Sequence, residues 1–232
     1  MTNAGMNGNS ALTVNSVHLL CDPSGALYWP ERRALVVADL HLEKGSAFAA
    51  RGQLLPPYDT AASLARMAEA AGRHGAERVI CLGDSFHDGT AAERLAPRDA
   101  ATLRGLTARY DWTWICGNHD PVPPADWGGR VEHEVTLGAL VFRHQARPLA
   151  TAAGEVSGHF HPKAAVRLRA GRVSCRCFVS DGRRLIMPAF GAYTGGLNVL
   201  DPAVAGLFPR GFQAHLLGRE AIHAFPQAAL SY

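Results

Sequence analysis

Four stretches with strand character each run straight into side chains that bind metals, and this repetition constrains the chain more than any other feature. Residues 34–38 lead into Asp39-Leu40-His41, 79–82 into Gly83-Asp84, 112–116 into Gly117-Asn118-His119-Asp120, and 155–158 into His159-Phe160-His161. Sheets of the α/β kind present their chemistry at strand ends in this way. Side chains alternate faces along an extended chain, so Asp39 with His41, and His159 with His161, are expected to point together into one site.

The order of elements supports a sheet of that kind. Strands are expected at 14–20 and 26–29, joined by a turn at Asp22-Pro23-Ser24-Gly25. A buried strand from Arg33 precedes a helix at 60–74, which Asp59 or Thr60 can cap, with Leu64, Met67 and Ala71 facing inward. A strand at 77–82, a helix at 97–109 with Leu103 and Leu106 inward, and a strand at 111–116 complete a strand–helix alternation, the pattern of a mostly parallel sheet. Beyond Asp120 the prolines at 121, 123 and 124 mark a loop, and short strands follow at 131–136, 139–143, 164–169, 172–179 and 184–187. Tight hairpins are expected at Leu137-Gly138, Ala170-Gly171 and Asp181-Gly182, which makes the second half an antiparallel-rich sheet packed on the first. The apolar, glycine-rich stretch 187–197 reads as a close-packed bend, and strands near 204–208 and 211–217 finish the chain.

At 232 residues and 47% hydrophobic, the chain can bury a large core. We expect a disordered N-terminus over 1–12 and a single domain over 13–232, because a split through the middle would divide the ligand-bearing segments. A net charge of +3 is mild and gives no argument of its own for nucleic acid. Five scattered cysteines form no disulfide framework, which suits a reducing cytosol. Cys81 and Cys116 read as small buried hydrophobes, and Cys175-Arg176-Cys177 as a strand with both sulfurs on one face rather than a metal knuckle. The first ten residues have neither a basic start nor an apolar core, and no apolar run nears the roughly 18 residues that cross a bilayer, so neither a signal nor an anchor is expected.

Two divalent cations held side by side need one shared anionic bridge and separate ligands that leave room for water and substrate. Asp84 is the natural bridge, since Gly83 lets the backbone turn sharply beneath it. Asp39, His41 and one histidine of the pair His159 and His161 would complete the first metal, and Asn118, His144 and the other histidine the second. Carboxylate, amide and imidazole donors without thiolate suit Mn²⁺, Fe or Zn²⁺ better than Mg²⁺ or Ca²⁺, and Mn²⁺ is expected first. A water bridging such a pair would ionise near neutral pH and supply hydroxide.

Taken in order, D-x-H, G-D, G-N-H-D, a lone histidine after a strand and G-H-x-H resemble the signature blocks of the calcineurin-like metallophosphoesterase superfamily, across residues 34–161. The resemblance implies an α/β fold of two packed mixed sheets flanked by helices. It also implies that His161 joins Asp39, His41 and Asp84 on one metal while Asn118, His144 and His159 join Asp84 on the other. His119 would then donate a proton to the leaving oxygen, oriented by Asp120.

The stretches 39–45, 51–60 and 188–197 further resemble the ligase-associated DNA damage response endonuclease (PdeM) branch. That branch implies a bacterial cytoplasmic enzyme that cleaves DNA in repair, with a DNA ligase and a helicase as partners; a phosphoesterase of nucleotides or other small phosphate esters is the alternative. Two departures stand out: Gln145 follows His144 where glycine is usual, and His87 adds an imidazole near Asp84. Arg143, Arg147, Lys44 and Arg51 are candidate phosphate contacts, and Tyr193 a candidate base-stacking ring. His74, His133, His215 and His223, outside any motif, are expected to be structural or solvated.

Overall fold

The computed structural model describes residues 8–122, 125–147, 153–169 and 171–232. Its first sheet has seven strands in sequence order: β1 (Ser10–Val14), β2 (Val17–Cys21), β3 (Leu27–Trp29), β4 (Ala34–Val37), β5 (Arg78–Leu82), β6 (Asp111–Ile115) and β7 (Arg130–Glu132). From β1 to β4 the pairing is antiparallel, and from β4 to β7 it is parallel. Helices α1 (Lys44–Ala49) and α2 (Asp59–His74) lie between β4 and β5; α3 (Ala91–Arg94) and α4 (Pro97–Arg109) lie between β5 and β6.

The second sheet follows the order β14 (Leu197–Asn198), β11 (Pro162–Leu168), β12 (Gly171–Ser180), β13 (Arg184–Ile186), β10 (Gly154–Ser157), β9 (Leu140–Arg143) and β8 (Glu134–Leu137). At its side β15 (Gln213–Leu217) pairs with β12, β16 (Ile222–Pro226) with β15, and β17 (Leu230–Ser231) with β11. Its centre is parallel, β10 lying between β9 and β13, while β8, β12, β15 and β16 run antiparallel to their neighbours. The expected antiparallel-rich sheet is therefore mixed, like the first.

Period-two alternation explains the layering. Leu35, Val37, Val79, Cys81, Trp112 and Trp114 meet Leu64, Met67, Leu103 and Leu106 of α2 and α4. The intervening Val36, Ile80, Leu82 and Ile115 point the other way, against Phe142, Val156, Phe178 and Leu185 of the second sheet. The far side of that sheet, with Val166, Cys177 and Val179, is covered by Val204 and Phe208 of the segment beginning with α5 (Pro202–Ala205). Cys175 packs into the same cluster as Cys177, as the strand reading requires. No helix among the described residues is long and apolar enough to cross a membrane.

Several sequence expectations are corrected. Residues 10–12, expected to be disordered, pair with β2, and 14–20 is not one strand but two joined at Asn15-Ser16, whose φ values of 48° and 67° form a tight hairpin turn. Residues 1–7 lie outside the described residues, as do Pro123 and Pro124 of the proline loop and Ala170 of the Ala170-Gly171 turn. The expected strand at 204–208 is helical at its start, because Asp201 caps α5 by accepting from the Ala203 amide and Pro202 presets the first turn. Asp59 and Thr60 do not cap α2. Asp59 accepts the Gly45 amide at 2.9 Å, and Thr60 bonds both the amide and the carboxylate of Glu43, so these residues tie α2 to the loop after β4.

The edge of the first sheet carries a buried acid. Asp22 accepts from the Ser24 amide at 2.9 Å, meets His74 Nε2 at 2.8 Å and pairs with Arg73 at 3.2 Å. Burial would raise its pKa, but the hydrogen bonds from His74 and Ser24 and the Arg73 charge hold it at about 2. A folded-state pKa below the unfolded value of about 3.9 stabilises the fold above about pH 4, and this is lost as pH falls toward 2. The expected worth is about 2 kcal/mol at neutral pH. Thermal melts of Asp22→Asn should show a deficit at neutral pH that narrows through this window; a deficit independent of pH would refute the linkage.

Candidate metal centre

The site forms where the C-terminal ends of β4, β5 and β6 meet those of β9 and β10. After the strands end, the loops bearing Asp39 and Asp84 continue side by side: the Asp39, His41 and Leu42 amides donate to the Gly83, Asp84 and Ser85 carbonyls at 3.3, 2.9 and 2.8 Å. The expected alternation along an extended chain is not how the side chains converge. Asp39, His41, Glu43, Asp84, His159 and His161 have φ of 53°, 45°, 65°, 47°, 71° and 47°, all left-handed. Five of the six, all but Glu43, carry donors of the site, and each such turn costs about 1–3 kcal/mol that the paired sheets must hold.

Both carboxylates lock a neighbouring loop while facing the cleft. Asp39 Oδ2 accepts the His159 amide at 3.0 Å, and Asp84 Oδ1 accepts the His119 amide at 2.9 Å. Two glycines permit the approach. A Cβ on Gly83, itself at φ 74°, would stand 2.6 Å from the His144 ring, and one on Gly117 would stand 2.2 Å from Asp84.

Besides a cluster of the His41, His87 and His119 imidazoles, two donor groups that include a carboxylate result. In one, Asp39, His41 and His161 bring ligand atoms together, with His161 Nε2 at 3.5 Å from Asp39 Oδ1 and 3.4 Å from His41 Nε2. In the other, Asp84, His144 and His159 converge, with His144 Nε2 at 3.5 Å from Asp84 Oδ1 and 3.1 Å from His159 Nδ1; Asn118 Oδ1 lies 2.9 Å from the same nitrogen. The other oxygen of Asp84 lies 3.8 Å from His41 Nε2, so this carboxylate faces both groups.

Protonation fits a cation. A carbonyl can only accept, so the 2.9 Å contact between His144 Nδ1 and the Leu82 carbonyl puts the His144 proton on Nδ1. Its Nε2 lone pair is thereby aimed at oxygens that also carry lone pairs, an arrangement that a divalent cation between them relieves. Burial, with the neighbouring His161 and His119 imidazoles next in weight, lowers the pKa of His41 to about 2; burial and then His144 lower that of His159. Neutral imidazole is the form that binds metal.

His119 stands outside the two carboxylate-bearing groups, shares the imidazole cluster with His41 and His87, and is exposed. Its Nδ1–H donates to the His87 carbonyl at 2.9 Å, its ring stacks on that of His87 with centroids 5.4 Å apart, and it meets His41 edge-on at 5.0 Å. Asp120, expected to orient His119, instead accepts the Ser85 and Phe86 amides at 2.8 and 3.1 Å, so it shapes the loop that presents Asp84. Burial raises its pKa to about 7 against those two amides. The orienting group that sequence reasoning missed is a main-chain carbonyl, which no residue type announces. Replacing Asp120 with alanine should weaken metal binding about 10–100-fold, as loss of a supporting partner does, and lower activity equally on nitrophenyl and alkyl esters. A loss confined to alkyl esters, read by comparing the two rates, would return Asp120 to the role of orienting His119.

Other candidates are placed differently. Arg143 pairs with Glu134 at 3.3 Å and with buried Glu155 at 3.6 Å, and Arg147 lies 3.8 Å from Glu134, so both guanidiniums are engaged by carboxylates. Tyr193 donates to the Pro56 carbonyl at 2.8 Å, which ties the 188–197 bend to the connection before α2. Lys44 opens α1 with its ammonium 5.8 Å from the Phe48 ring centroid. His74 serves Asp22, His215 is buried beside Ser10, and His133 and His223 are exposed, in keeping with structural or solvated roles.

Comparison with known proteins gives the chain its relatives. The solved structure of Pseudomonas putida nuclease MPE is similar over 94% of this chain and 99% of that one, at 31% identity and a TM-score of 0.72. The E. coli phosphoesterase Yfce matches 85% of this chain and 99% of its own at 15% identity and a TM-score of 0.43. No curated protein sequence gives a significant match. The calcineurin-like phosphoesterase profile matches residues 32–168, which is more than half of the chain and takes in all the strand-end residues described above. The chain therefore belongs to the calcineurin-like phosphoesterase family and is a metal-dependent phosphoester hydrolase.

Proposed function

We propose that this hydrolase is a phosphodiesterase that cleaves DNA, acting as one folded unit because its site draws on both sheets. The observation that carries the reading is the convergence of two donor groups on Asp84 in a chain 31% identical to a nuclease over almost its whole length. We assign Asp39, His41, Asp84 and His161 to one cation and Asp84, Asn118, His144 and His159 to the other, with Mn²⁺ preferred over Fe or Zn²⁺ for its fit to mixed oxygen and imidazole donors. When bound, the cations supply Lewis acidity at phosphorus and a water acidified toward neutrality.

The chain's own residues do the rest. Asp39 and Asp84 fix the loops of His159 and His119 through main-chain amides, which sets the donor geometry before metal arrives. His119, held at Nδ1 by the His87 carbonyl, keeps Nε2 free for a proton that it passes to the departing oxygen. A setting in bacterial cytoplasmic DNA repair, beside a DNA ligase and a helicase, follows from the resemblance of the 39–45, 51–60 and 188–197 stretches.

The test is direct. Mn²⁺-loaded protein should cleave bis(4-nitrophenyl) phosphate and also cut DNA oligonucleotides. Cleavage of the small ester or of cyclic nucleotides with DNA left intact would assign the enzyme to small phosphate esters instead, and protein inert on every phosphoester would overturn the catalytic reading.

A further inference from the structure

Beside the metal centre lie three cations that no carboxylate among the described residues neutralises. Arg66 of α2 donates to the Phe190 carbonyl and lies with its guanidinium carbon 4.5 Å from the Phe190 ring centroid. Arg176 of β12 donates to the adjacent Ala189 carbonyl at 2.7 Å. Lys163 is the cross-strand partner of Arg176 in the β11–β12 ladder, so the two cations leave the sheet on one face. None of the ion pairs among the described residues includes any of the three.

Like charges placed opposite each other on a ladder destabilise it, and burying guanidinium costs more when no anion is near. Burial first, and then the nearby Arg176 charge, bring Arg66 down to about 10, and burial lowers Arg176 as well. One carbonyl satisfies one of the five N–H groups on each guanidinium, and Arg66 Nε is buried with no partner. Among the described residues no carboxylate answers these charges.

The position of the cluster says which anion would. Lys163 follows the proposed ligand His161 by two residues, roughly 6–7 Å of extended chain. The bend that Arg66 and Arg176 hold donates its Phe190 and Gly191 amides to the Ala38 and Asp39 carbonyls at 2.7 and 3.1 Å, so it abuts the metal-bearing loop. Gly196 is exposed and packs on the Lys163 stem, where a Cβ would come within 2.3 Å of Lys163 Cδ.

We propose that Lys163, Arg176 and Arg66 form a subsite for a non-scissile phosphate of the nucleic-acid strand, next to the phosphate that lies on the metals. This rests on the phosphodiesterase reading above and adds to it a contact that a one-phosphate ester cannot make. The subsite sets how tightly a strand is held and plays no part in bond cleavage.

Binding of a fluorescent DNA oligonucleotide to the chelator-treated full chain, measured by anisotropy against salt, tests the subsite apart from catalysis. Lys163→Gln and Arg176→Gln should each weaken binding roughly 3- to 10-fold and flatten the slope of log affinity against log salt by about 0.7 per cation removed. Arg176→Lys should recover most of the slope. With Mn²⁺ present, KM for the oligonucleotide should rise in both glutamine variants, while kcat/KM for bis(4-nitrophenyl) phosphate stays within about twofold of the parent. Should Arg176→Gln lose its fold along with its carbonyl bond, Lys163→Gln decides, because its head group makes no main-chain bond. Equal losses on both substrates, or an unchanged salt slope, would overturn the subsite. Failure of the parent to turn over the small ester would overturn the phosphodiesterase reading alone, since the metal-free binding experiment still reports on the cations.

Discussion

Asp84→Asn should strip metal from both positions at once, whereas His41→Ala should mainly affect one. The geometry behind this is the division of the Asp84 carboxylate: Oδ1 lies 3.5 Å from His144 Nε2 and Oδ2 lies 3.8 Å from His41 Nε2, so its two oxygens address different donor groups. An amide keeps the shape and the bond to the His119 main chain but loses the charge and one of the two acceptors. The loss of metal affinity should exceed the roughly 10–100-fold that supporting partners are worth. Metal analysis by mass spectrometry checks it. Two metals per chain at unchanged affinity in Asp84→Asn would remove Asp84 from the bridging position.

His119→Ala should leave metal content near that of the parent and lower turnover roughly 10²–10⁴-fold, the usual worth of a positioned proton donor. Its ring is exposed, its Nδ1 is committed to the His87 carbonyl, and it meets His41 edge-on at 5.0 Å. A donor matters most when the departing alkoxide is a poor leaving group. The loss should therefore be large on a DNA or alkyl diester and small on a nitrophenyl ester, whose phenolate leaves unaided. Rates on the two esters, measured with metal content on the same samples, settle the role. Equal losses at full metal occupancy would make His119 a charge-stabilising or positioning group, and loss of one metal would make it a ligand.

The residues that meet at the site were legible in the sequence because each follows an apolar run that only a buried strand explains. The helix at 97–109 matches α4 residue for residue, since Pro97 starts it and Leu103 and Leu106 set its inner face. Harder to read were features that depend on backbone conformation or on distant partners. The Asn15-Ser16 turn hid inside a run of strand formers, and the helix at 202–205 was masked by its apolar residues until Asp201 supplied the cap. Asp59 has the residue type of a helix cap, but the Gly45 amide, distant in sequence, claims its carboxylate. Asp120 was assigned to its neighbour in sequence, whereas its bonds go to Ser85 and Phe86 on another loop.

The left-handed backbone at Asp39, His41, Asp84, His159 and His161 sets stability against function along this chain. Glycine occupies that region of φ without the steric penalty that a Cβ brings. At each of these positions, then, the residue that would best suit the local backbone is the one residue that carries no ligand. Relaxed selection for catalysis would allow glycine to drift in most readily at the three histidines, since Asp39 and Asp84 also hold neighbouring main-chain amides, and a descendant lineage could keep both sheets while losing its chemistry. Among relatives of this chain, the identity of the residue at these five turns should thus report whether an enzyme is still being maintained more sensitively than the shape of the fold does.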